Sequence, residues 1–325
     1  MNHRVFITGA SGFVGRHLIQ FLIRRGDSVA GTCFPEDPAS CQLGDNVLLE
    51  RVDIRSKDQL APLIQDFSPH WVVHLAAISN VRVSWEKRQE TVEINLLGTL
   101  NLLEVLREMI PPPRLLFVSS SDVYGILEPT DHPLREEDPI QVVNPYAFSK
   151  ASAEMLVRFY SQIEGVEGII IRAFPHTGPG QSPLFVCSDW AYQIASLERK
   201  SGGLLNIGNL EIKRDFTDVR DVVRAYVALL EKGQAGEIYN VCSGQPVSLQ
   251  WILDTLISYS SSPIRIKVDP QRLRKADIPL LYGDNTKLRT TTGWQPEYPL
   301  GQTLKDLLDY WRFQLKGGSK KGFPI

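Results

Sequence analysis

Tyr146 and Lys150 stand four positions apart, in a segment that begins with Asn144-Pro145. Proline is common at the first position of a helix, so both side chains are expected on one face of a helix that starts there. A lysine one turn from a tyrosine lowers the phenol pKa by its charge, which lets the tyrosine exchange a proton near neutral pH. Many helices contain this spacing, so its weight comes from its position half a domain after a glycine-rich loop.

Three serines and an aspartate occupy positions 119–122, directly after an apolar stretch that is predicted to be a strand. Ligands of open α/β sheets bind beyond the carboxyl ends of the strands. A hydroxyl at that place can hydrogen-bond a reacting oxygen, and with Tyr146 and Lys150 downstream we assign this role to Ser120. A simple polar turn is the alternative interpretation of the three serines.

A glycine-rich turn at 8–15 follows a short apolar strand and opens a helix. Gly9 permits the tight turn, Gly12 lets the backbone approach a pyrophosphate, and Gly15 lets the helix pack on the strand. The free N–H groups and the positive dipole end of the helix then face the phosphates. The strand-loop-helix context predicts a dinucleotide site rather than a turn without a ligand.

No residue that selects between NAD and NADP is recognisable where one is expected, at the end of the second strand. An acid there would bind the 2′-OH of NAD, and an arginine nearby would accept the 2′-phosphate of NADP. The strand ends in Gly31-Thr32-Cys33-Phe34, which contains neither. Asp53, after the third strand, is placed to meet the adenine, and its alternative role is to cap a turn.

Apolar strands alternate with amphipathic helices through the first half of the chain. The predicted strands are 5–8, 28–32, 47–52, 71–75, 115–119, 167–172 and 237–241, and the predicted helices are 16–25, 57–67, 90–109, 146–162 and 219–230. This alternation predicts an α/β fold with a Rossmann-type, doubly wound parallel sheet. The last part of the chain is predicted to mix two helices with irregular loops.

The pattern loosens after residue 172, where prolines and glycines crowd together. We therefore expect a dinucleotide-binding domain of residues 1–172 plus about 215–243. A smaller C-terminal α/β domain of about 173–214 and 244–315 is expected to face the substrate, and 316–325 is expected to be a flexible tail.

The composition is that of an ordinary globular protein, with 43% hydrophobic and 22% charged residues and a formal net charge of -2. This charge argues against a general nucleic-acid or membrane-surface field. There is no signal-peptide pattern and no apolar run of membrane-spanning length, so a cytoplasmic location is expected. The four cysteines have no zinc spacing; we expect reduced thiols and no metal site.

The motifs resemble, in order and over essentially the whole chain, those of the extended short-chain dehydrogenase/reductase family. They are TGASGFVG at 8–15, HLAA at 74–77, SSSDVYG at 119–125, NPYAFSK at 144–150 and RDFTDVRD at 214–221. Within that family, FPHTGPGQ at 174–181 and RKADIP at 274–279 look like the GDP-4-keto-6-deoxymannose reductases. Pro175 stands where those enzymes usually have asparagine, and Lys275 where they usually have proline.

The resemblance implies a role for each matching residue. It implies a catalytic set of Ser120, Tyr146 and Lys150. For the cofactor groove it implies Gly9, Gly12, Phe13, Gly15, Asp53, Ile54, Ala76 and Ala77, together with Tyr146 and Lys150. For the substrate it implies Ser121, Asp122, His176, Arg214 and Arg274, the two arginines holding the diphosphate. The alternatives are surface ion pairs for the arginines and a structural loop role for the histidine.

The same resemblance implies NADP(H) or NAD(H) as cofactor, with a preference for NADPH, and a GDP-sugar as substrate. The reaction implied is reduction of the C4 ketone of GDP-4-dehydro-6-deoxy-D-mannose to GDP-D-rhamnose. It also implies a homodimer formed through helices 90–109 and 146–162.

Three other functions stay open on the sequence. The first is a GDP-mannose 4,6-dehydratase, which in related enzymes has Glu where this chain has the shorter Asp122. The second is a UDP-sugar 4-epimerase. The third is a dinucleotide sensor without catalysis, which would have no need to keep Ser120, Tyr146 and Lys150 together.

Overall fold

The computed structural model describes residues 2–34, 47–125, 132–272 and 279–317. The strands are β1 (Arg4–Thr8), β2 (Ser28–Cys33), β3 (Val47–Arg51), β4 (Trp71–His74), β5 (Arg114–Ser120), β6 (Gly168–Ala173), β7 (His176–Thr177), β8 (Gly203–Ile207), β9 (Lys213–Asp215), β10 (Thr217–Asp218), β11 (Ile238–Val241), β12 (Pro246–Ser248), β13 (Ile264–Val268) and β14 (Leu280–Leu281). The α-helices are α1 (Phe13–Arg24), α2 (Lys57–Phe67), α3 (Val81–Glu86), α4 (Arg88–Val92), α5 (Gly98–Leu106), α6 (Pro145–Ile163), α7 (Val186–Glu198), α8 (Val219–Lys232), α9 (Leu249–Ser258), α10 (Thr286–Thr292) and α11 (Leu300–Leu315).

The main sheet has seven strands in the order β11-β6-β5-β4-β1-β2-β3. Every pair in it is parallel. The order reverses between β1 and β4, which is the switch point of a doubly wound sheet. The predicted fold class is therefore confirmed.

Apolar side chains that alternate along these strands build one core on each face of the sheet. On one face, Val5 and Ile7 of β1 pack with α1 and α8. On the other face, Phe6 of β1 packs with α2, α5 and α6. Because both faces are covered by helices, the inner strands are buried on both sides, as the strands of parallel sheets usually are.

A third core lies outside the main sheet and joins α7, α9 and α11 with β8. Its buried members run from Cys187 to Phe216 and from Leu249 to Leu308. Leu288 and Trp294 lie within the range that we assigned to the second domain, and they pack in the core on the α1 side of the sheet. The division into two domains stays a prediction.

Two local expectations are wrong. The predicted helix 90–109 is α4 and α5 separated by a π-helical turn at Glu93–Leu97, and the described part of the chain after β11 holds three α-helices, not two. Cys187 and Cys242 are free and buried. Across the ranges that the structure describes, no helix has both the length and the apolar character that a membrane span requires.

Candidate active site

The candidate site lies at the carboxyl edge of the sheet, where β6, β5, β4 and β1 are neighbours. The glycine-rich turn follows β1, Ala76 follows β4, Ser120 ends β5, and His176 comes three residues after the end of β6. The topology thus brings four distant segments to one edge, close to the switch point at which open α/β sheets bind ligands.

The glycine-rich turn leaves no space for larger residues. Gly9 has a φ of +68°, and a Cβ atom there would lie 2.8 Å from the backbone nitrogen of Ala76. A Cβ atom on Gly15 would lie 2.4 Å from the carbonyl oxygen of Ala10, because α1 packs directly on the turn. Gly12 is the N-cap of α1 and caps it without a side chain. The N–H groups of the first helical turn therefore face outward, where a phosphate can accept from them.

Phe13, the first residue of α1, packs face to face with His176, with ring centroids 6.1 Å apart. The Nδ1 atom of His176 lies 2.9 Å from the carbonyl oxygen of Phe174. A carbonyl only accepts, so Nδ1 carries the proton and Nε2 is left as an acceptor. Burial favours the neutral ring and lowers the pKa of His176, and the hydrogen bond to Phe174 opposes this effect.

Ser120 and Tyr146 are in contact beside this turn. Asn144 caps α6 by accepting from the N–H of Ala147 at 2.7 Å, which fixes the start of the helix one residue before Tyr146. The Ser120 side chain lies close enough to the Tyr146 phenol to affect its pKa. Burial raises the pKa of Tyr146, the charge of Asp122 raises it further, and Ser120 opposes both. The phenol is therefore held in its protonated form, the form that can donate a proton.

Lys150 lies one turn further along α6 and is buried. Its Nζ donates to the carbonyl oxygen of Val118 at 2.7 Å and lies 5.1 Å from the centre of the Phe117 ring. Burial lowers the pKa of Lys150 to about 8, against the opposing charge of Glu154. We expected Lys150 to lower the pKa of Tyr146. The net direction in this structure is upward, because burial has the largest effect on Tyr146.

Asn95 is a site residue that the sequence did not reveal. Its side chain accepts from the N–H of Ile78 at 2.8 Å and donates to the carbonyl oxygen of Ile78 at 3.0 Å. It also donates to the Ser149 hydroxyl at 2.9 Å. Asn95 thereby fixes the segment after β4 against α6, next to Lys150. It lies in the π-helical turn, and such turns are frequent at functional sites; a polar residue on the buried face of a predicted helix was the available signal.

Asp53 and Ile54 follow β3, at the far side of the cofactor edge. Both carboxylate oxygens of Asp53 accept from the guanidinium of Arg55, which also contacts Glu93 at 3.2 Å. The Arg55 hydrogen bond holds the pKa of Asp53 below its usual value, against the effect of burial. Ile54 is buried and packs on Gly98, where a Cβ atom would lie 2.6 Å from it. Binding of adenine by these two residues stays a prediction.

The residues assigned to the substrate divide into two groups. Ser121 is buried and Asp122 partly buried, both in the short 3-10 helix that follows Ser120. Arg214 lies on β9, in register with β12 on one side and β14 on the other. Arg274 falls outside the described residues. Asp215, which follows Arg214 on β9, accepts from the N–H groups of Ser243 and Gly244 and from that of Gly283. It therefore connects β9 to the segment before β12 and to the segment after β14.

The hydrogen-bond donors at this edge of the sheet fit a nicotinamide dinucleotide. The turn has positions that a Cβ atom would fill, and the first turn of α1 offers its N–H groups to a pyrophosphate. The turn follows β1, and Ser120 ends β5, two strands away at the same edge of the sheet. A cofactor that starts at α1 can therefore extend along this edge to a carbonyl beside Ser120, Tyr146 and Lys150. No metal site is needed for this chemistry.

Comparison with known proteins agrees with this geometry. A family model described as GDP-mannose 4,6 dehydratase matches residues 6–307. The chain belongs to the extended short-chain dehydrogenase/reductase family, in its GDP-mannose 4,6-dehydratase-like branch. Members of this branch are nicotinamide-dependent enzymes that act on nucleotide sugars, and the chain is one of these enzymes.

Three family members show how far the similarity extends. The GDP-6-deoxy-D-mannose reductase of Pseudomonas aeruginosa is 36% identical over 317 residues, which cover 97% of this chain and 99% of that protein. A solved structure of RMD from Pseudomonas aeruginosa, complexed with NADPH, has a TM-score of 0.84 at 34% identity and covers 96% of this chain and 100% of its own. The UDP-glucose 4-epimerase of Thermus thermophilus, in complex with NAD, has a TM-score of 0.83 at 28% identity, with coverages of 95% and 99%.

Proposed function

We propose that the protein reduces the C4 ketone of GDP-4-dehydro-6-deoxy-D-mannose to GDP-6-deoxy-D-mannose, which is GDP-D-rhamnose. The observation that carries this proposal is the 36% identity, over 97% of this chain, to the GDP-6-deoxy-D-mannose reductase of Pseudomonas aeruginosa. The site has the groups that reduction of a ketone requires. Tyr146 is a buried proton donor beside Ser120, and Lys150 lies one turn further along α6.

The residues of this chain divide the work of such a reduction. A reduced nicotinamide dinucleotide, held by the glycine-rich turn and α1, supplies the hydride. Ser120 and Tyr146 donate hydrogen bonds to the ketone oxygen and so orient the carbonyl. As negative charge develops on that oxygen, Tyr146 transfers its proton to it, and the charge of Lys150 stabilises the phenolate that remains. We infer that both NADPH and NADH are used, because the described end of β2 carries neither an acid nor an arginine. We infer a preference for NADPH from the similarity to RMD from Pseudomonas aeruginosa, whose structure is complexed with NADPH.

The dehydratase is the second candidate, because its name is the description of the matching family model. It must also remove the C5 proton and expel the C6 hydroxyl, and the sequence offers Asp122 for this work. An aspartate reaches one methylene less far than a glutamate. A displacement of about 1 Å can lower a rate about 100-fold, so the shorter side chain disfavours elimination.

Cofactor stoichiometry separates these two reactions. With GDP-4-dehydro-6-deoxy-D-mannose we expect one NADPH or NADH to be oxidised for each product formed. The loss of dinucleotide absorbance measures the cofactor, and chromatography of the sugar nucleotides measures the product. GDP-mannose alone should give no keto-sugar at a useful rate, because a reductase does not eliminate water; a dehydratase would form it and regenerate its own cofactor. Asp122→Asn should retain most of the reductase activity. Rapid formation of keto-sugar from GDP-mannose, abolished by Asp122→Asn, would replace our proposal with the dehydratase.

We also propose that the protein is a homodimer through α6 and the helices around α5. Four apolar side chains on α6 share a face and are exposed in the single chain: Phe148, Met155, Phe159 and Ile163. Met155 is 72% exposed and Ile163 is 67% exposed. A contiguous apolar stripe of this kind usually marks an interface.

Met155→Lys is expected to shift the protein from dimer to monomer in analytical ultracentrifugation, because a charge would be buried at the centre of the stripe. Arg158→Glu, a charge change on the same helix but off this stripe, is the control and should leave the mass unchanged. A monomeric wild-type protein at micromolar concentration would contradict the proposed dimer.

A further inference from the structure

Behind the proton-transfer set lies a buried ion pair that the reaction described above does not use. Arg172 of β6 binds Glu154 of α6 through three contacts, with Nη2 to Oε2 at 2.9 Å and Nε to Oε1 and Oε2 at 3.2 and 3.3 Å. The side chains are 2% and 3% exposed, for Glu154 and Arg172 respectively. Desolvation of two charges costs free energy that offsets their attraction, so a buried ion pair is weak evidence for a stabilising role alone.

The position of Glu154 on α6 places this ion pair next to Lys150. Glu154 follows Lys150 by four residues, so the two side chains are neighbours on one face of the helix, and Lys150 in turn follows Tyr146 by four. The carboxylate therefore lies one turn behind the lysine in a water-excluded region, where charges interact strongly. Arg172 is anchored on the other side, donating to the carbonyl oxygen of Glu136 at 3.0 Å and lying 4.8 Å from the centre of the Tyr124 ring.

We propose that the Glu154–Arg172 pair sets the charge of Lys150, which makes Glu154 a positioning residue of the proton-transfer set. Arg172 holds the Glu154 carboxylate in place and balances part of its charge. Glu154 then stabilises the ammonium form of Lys150 against the cost of burial. This inference rests on the proposed reduction, because that reaction needs a charged Lys150 behind the Tyr146 phenolate.

The other ionisable groups on the elements packed against α6 leave Glu154 as the acid that acts on Lys150. His74 of β4 is buried and hydrogen-bonded to Thr8 and Thr99, and burial together with the Lys150 charge lowers the pKa of His74 to about 3, so it is neutral. Asp122 acts on Tyr146. Other charged groups on these elements are engaged elsewhere. They are Glu104 with Tyr160, Arg82 with Glu86, Lys87 with Glu90, Glu93 with Arg55, Arg88 with the ring of Trp85, and Arg114 with the carbonyl oxygen of Gly233.

Opposite charge changes at the two ends of the pair give opposite expected results. In Glu154→Gln the uncompensated Arg172 disfavours the ammonium, so the alkaline limb of kcat/KM should move about one pH unit lower. In Arg172→Gln the unbalanced carboxylate favours the ammonium, and the limb should move higher. The double variant Glu154→Gln/Arg172→Gln should return it close to the wild-type position. A purely structural pair would change thermal stability in both single variants without this reversal of sign.

Two further measurements keep the test decisive. Glu154→Asp keeps both charges with a shorter reach and should give a smaller downward shift, even if Glu154→Gln folds poorly. The pH dependence of NADPH binding, followed by nucleotide fluorescence, needs no keto-sugar and should show the same opposite shifts. Shifts in binding without ketone reduction would refute the proposed function alone. Reduction with unmoved limbs, or limbs that move in one direction in both single variants, would overturn the role of the pair.

Discussion

Tyr146→Phe is expected to lower kcat for the keto-sugar by about 10²–10⁴-fold, the usual contribution of a positioned general acid. The substitution removes only the hydroxyl, which lies beside Ser120, and the ring on α6 stays buried. NADPH affinity should change little, because the phosphate-binding part of the site lies at α1. Steady-state kinetics with the keto-sugar, combined with fluorescence titration of NADPH, measures both quantities.

Tyr239→Phe is the matched control for this experiment. Tyr239 is a buried tyrosine on β11, and its hydroxyl accepts from the N–H of Gln234 at 3.0 Å, before β11 begins and so at the amino edge of the sheet, opposite the candidate site. Removal of that hydroxyl should lower the free energy of unfolding and leave kcat close to the wild-type value. Near wild-type turnover in Tyr146→Phe, or an equal loss in Tyr239→Phe, would show that Tyr146 is not the proton donor.

The fold was predictable because its elements are long and their periodicity is regular. Helix α2 occupies the predicted residues 57–67, since Ser68 adopts a left-handed conformation and Pro69 follows it. The inner strands of the main sheet are buried on both faces and appear as apolar runs between turns. The second half was harder, because β7, β10 and β14 have two residues each and carry no periodic signal.

The sequence predicted which residues of the candidate site lie together, but not the pKa directions and ion pairs among them. The sequence order of the glycine turn, Ser120, Tyr146 and Lys150 pointed to one edge of a sheet, and the structure places them there. The direction of the Tyr146 pKa was missed, because burial depends on packing that no spacing reveals. The ion pair of Asp53 with Arg55 was missed for a related reason, since two residues of separation give no indication that their side chains meet.

The glycine-rich turn carries the second large expected effect, on cofactor affinity. A Cβ atom on Gly9 would meet the backbone of Ala76 at 2.8 Å, and backbone cannot move aside as a flexible side chain would. The turn must shift instead, and the first N–H groups of α1 shift with it. Since a displacement of about 1 Å in a binding geometry can cost about 100-fold, Gly9→Ala should weaken NADPH binding by roughly that factor.

Gly165→Ala separates this effect from backbone strain. Gly165 has a φ of +75°, close to that of Gly9, but a Cβ atom there would have no neighbour within 4 Å among the described residues. Both substitutions force alanine into the left-handed region at a cost of about 1–2 kcal/mol, so both should lower the free energy of unfolding. Only Gly9→Ala should also lose NADPH affinity, measured by fluorescence well below the melting temperature of each variant. If the two variants bound NADPH equally well, the turn after β1 would not be the phosphate site, and the cofactor would have to enter by another edge.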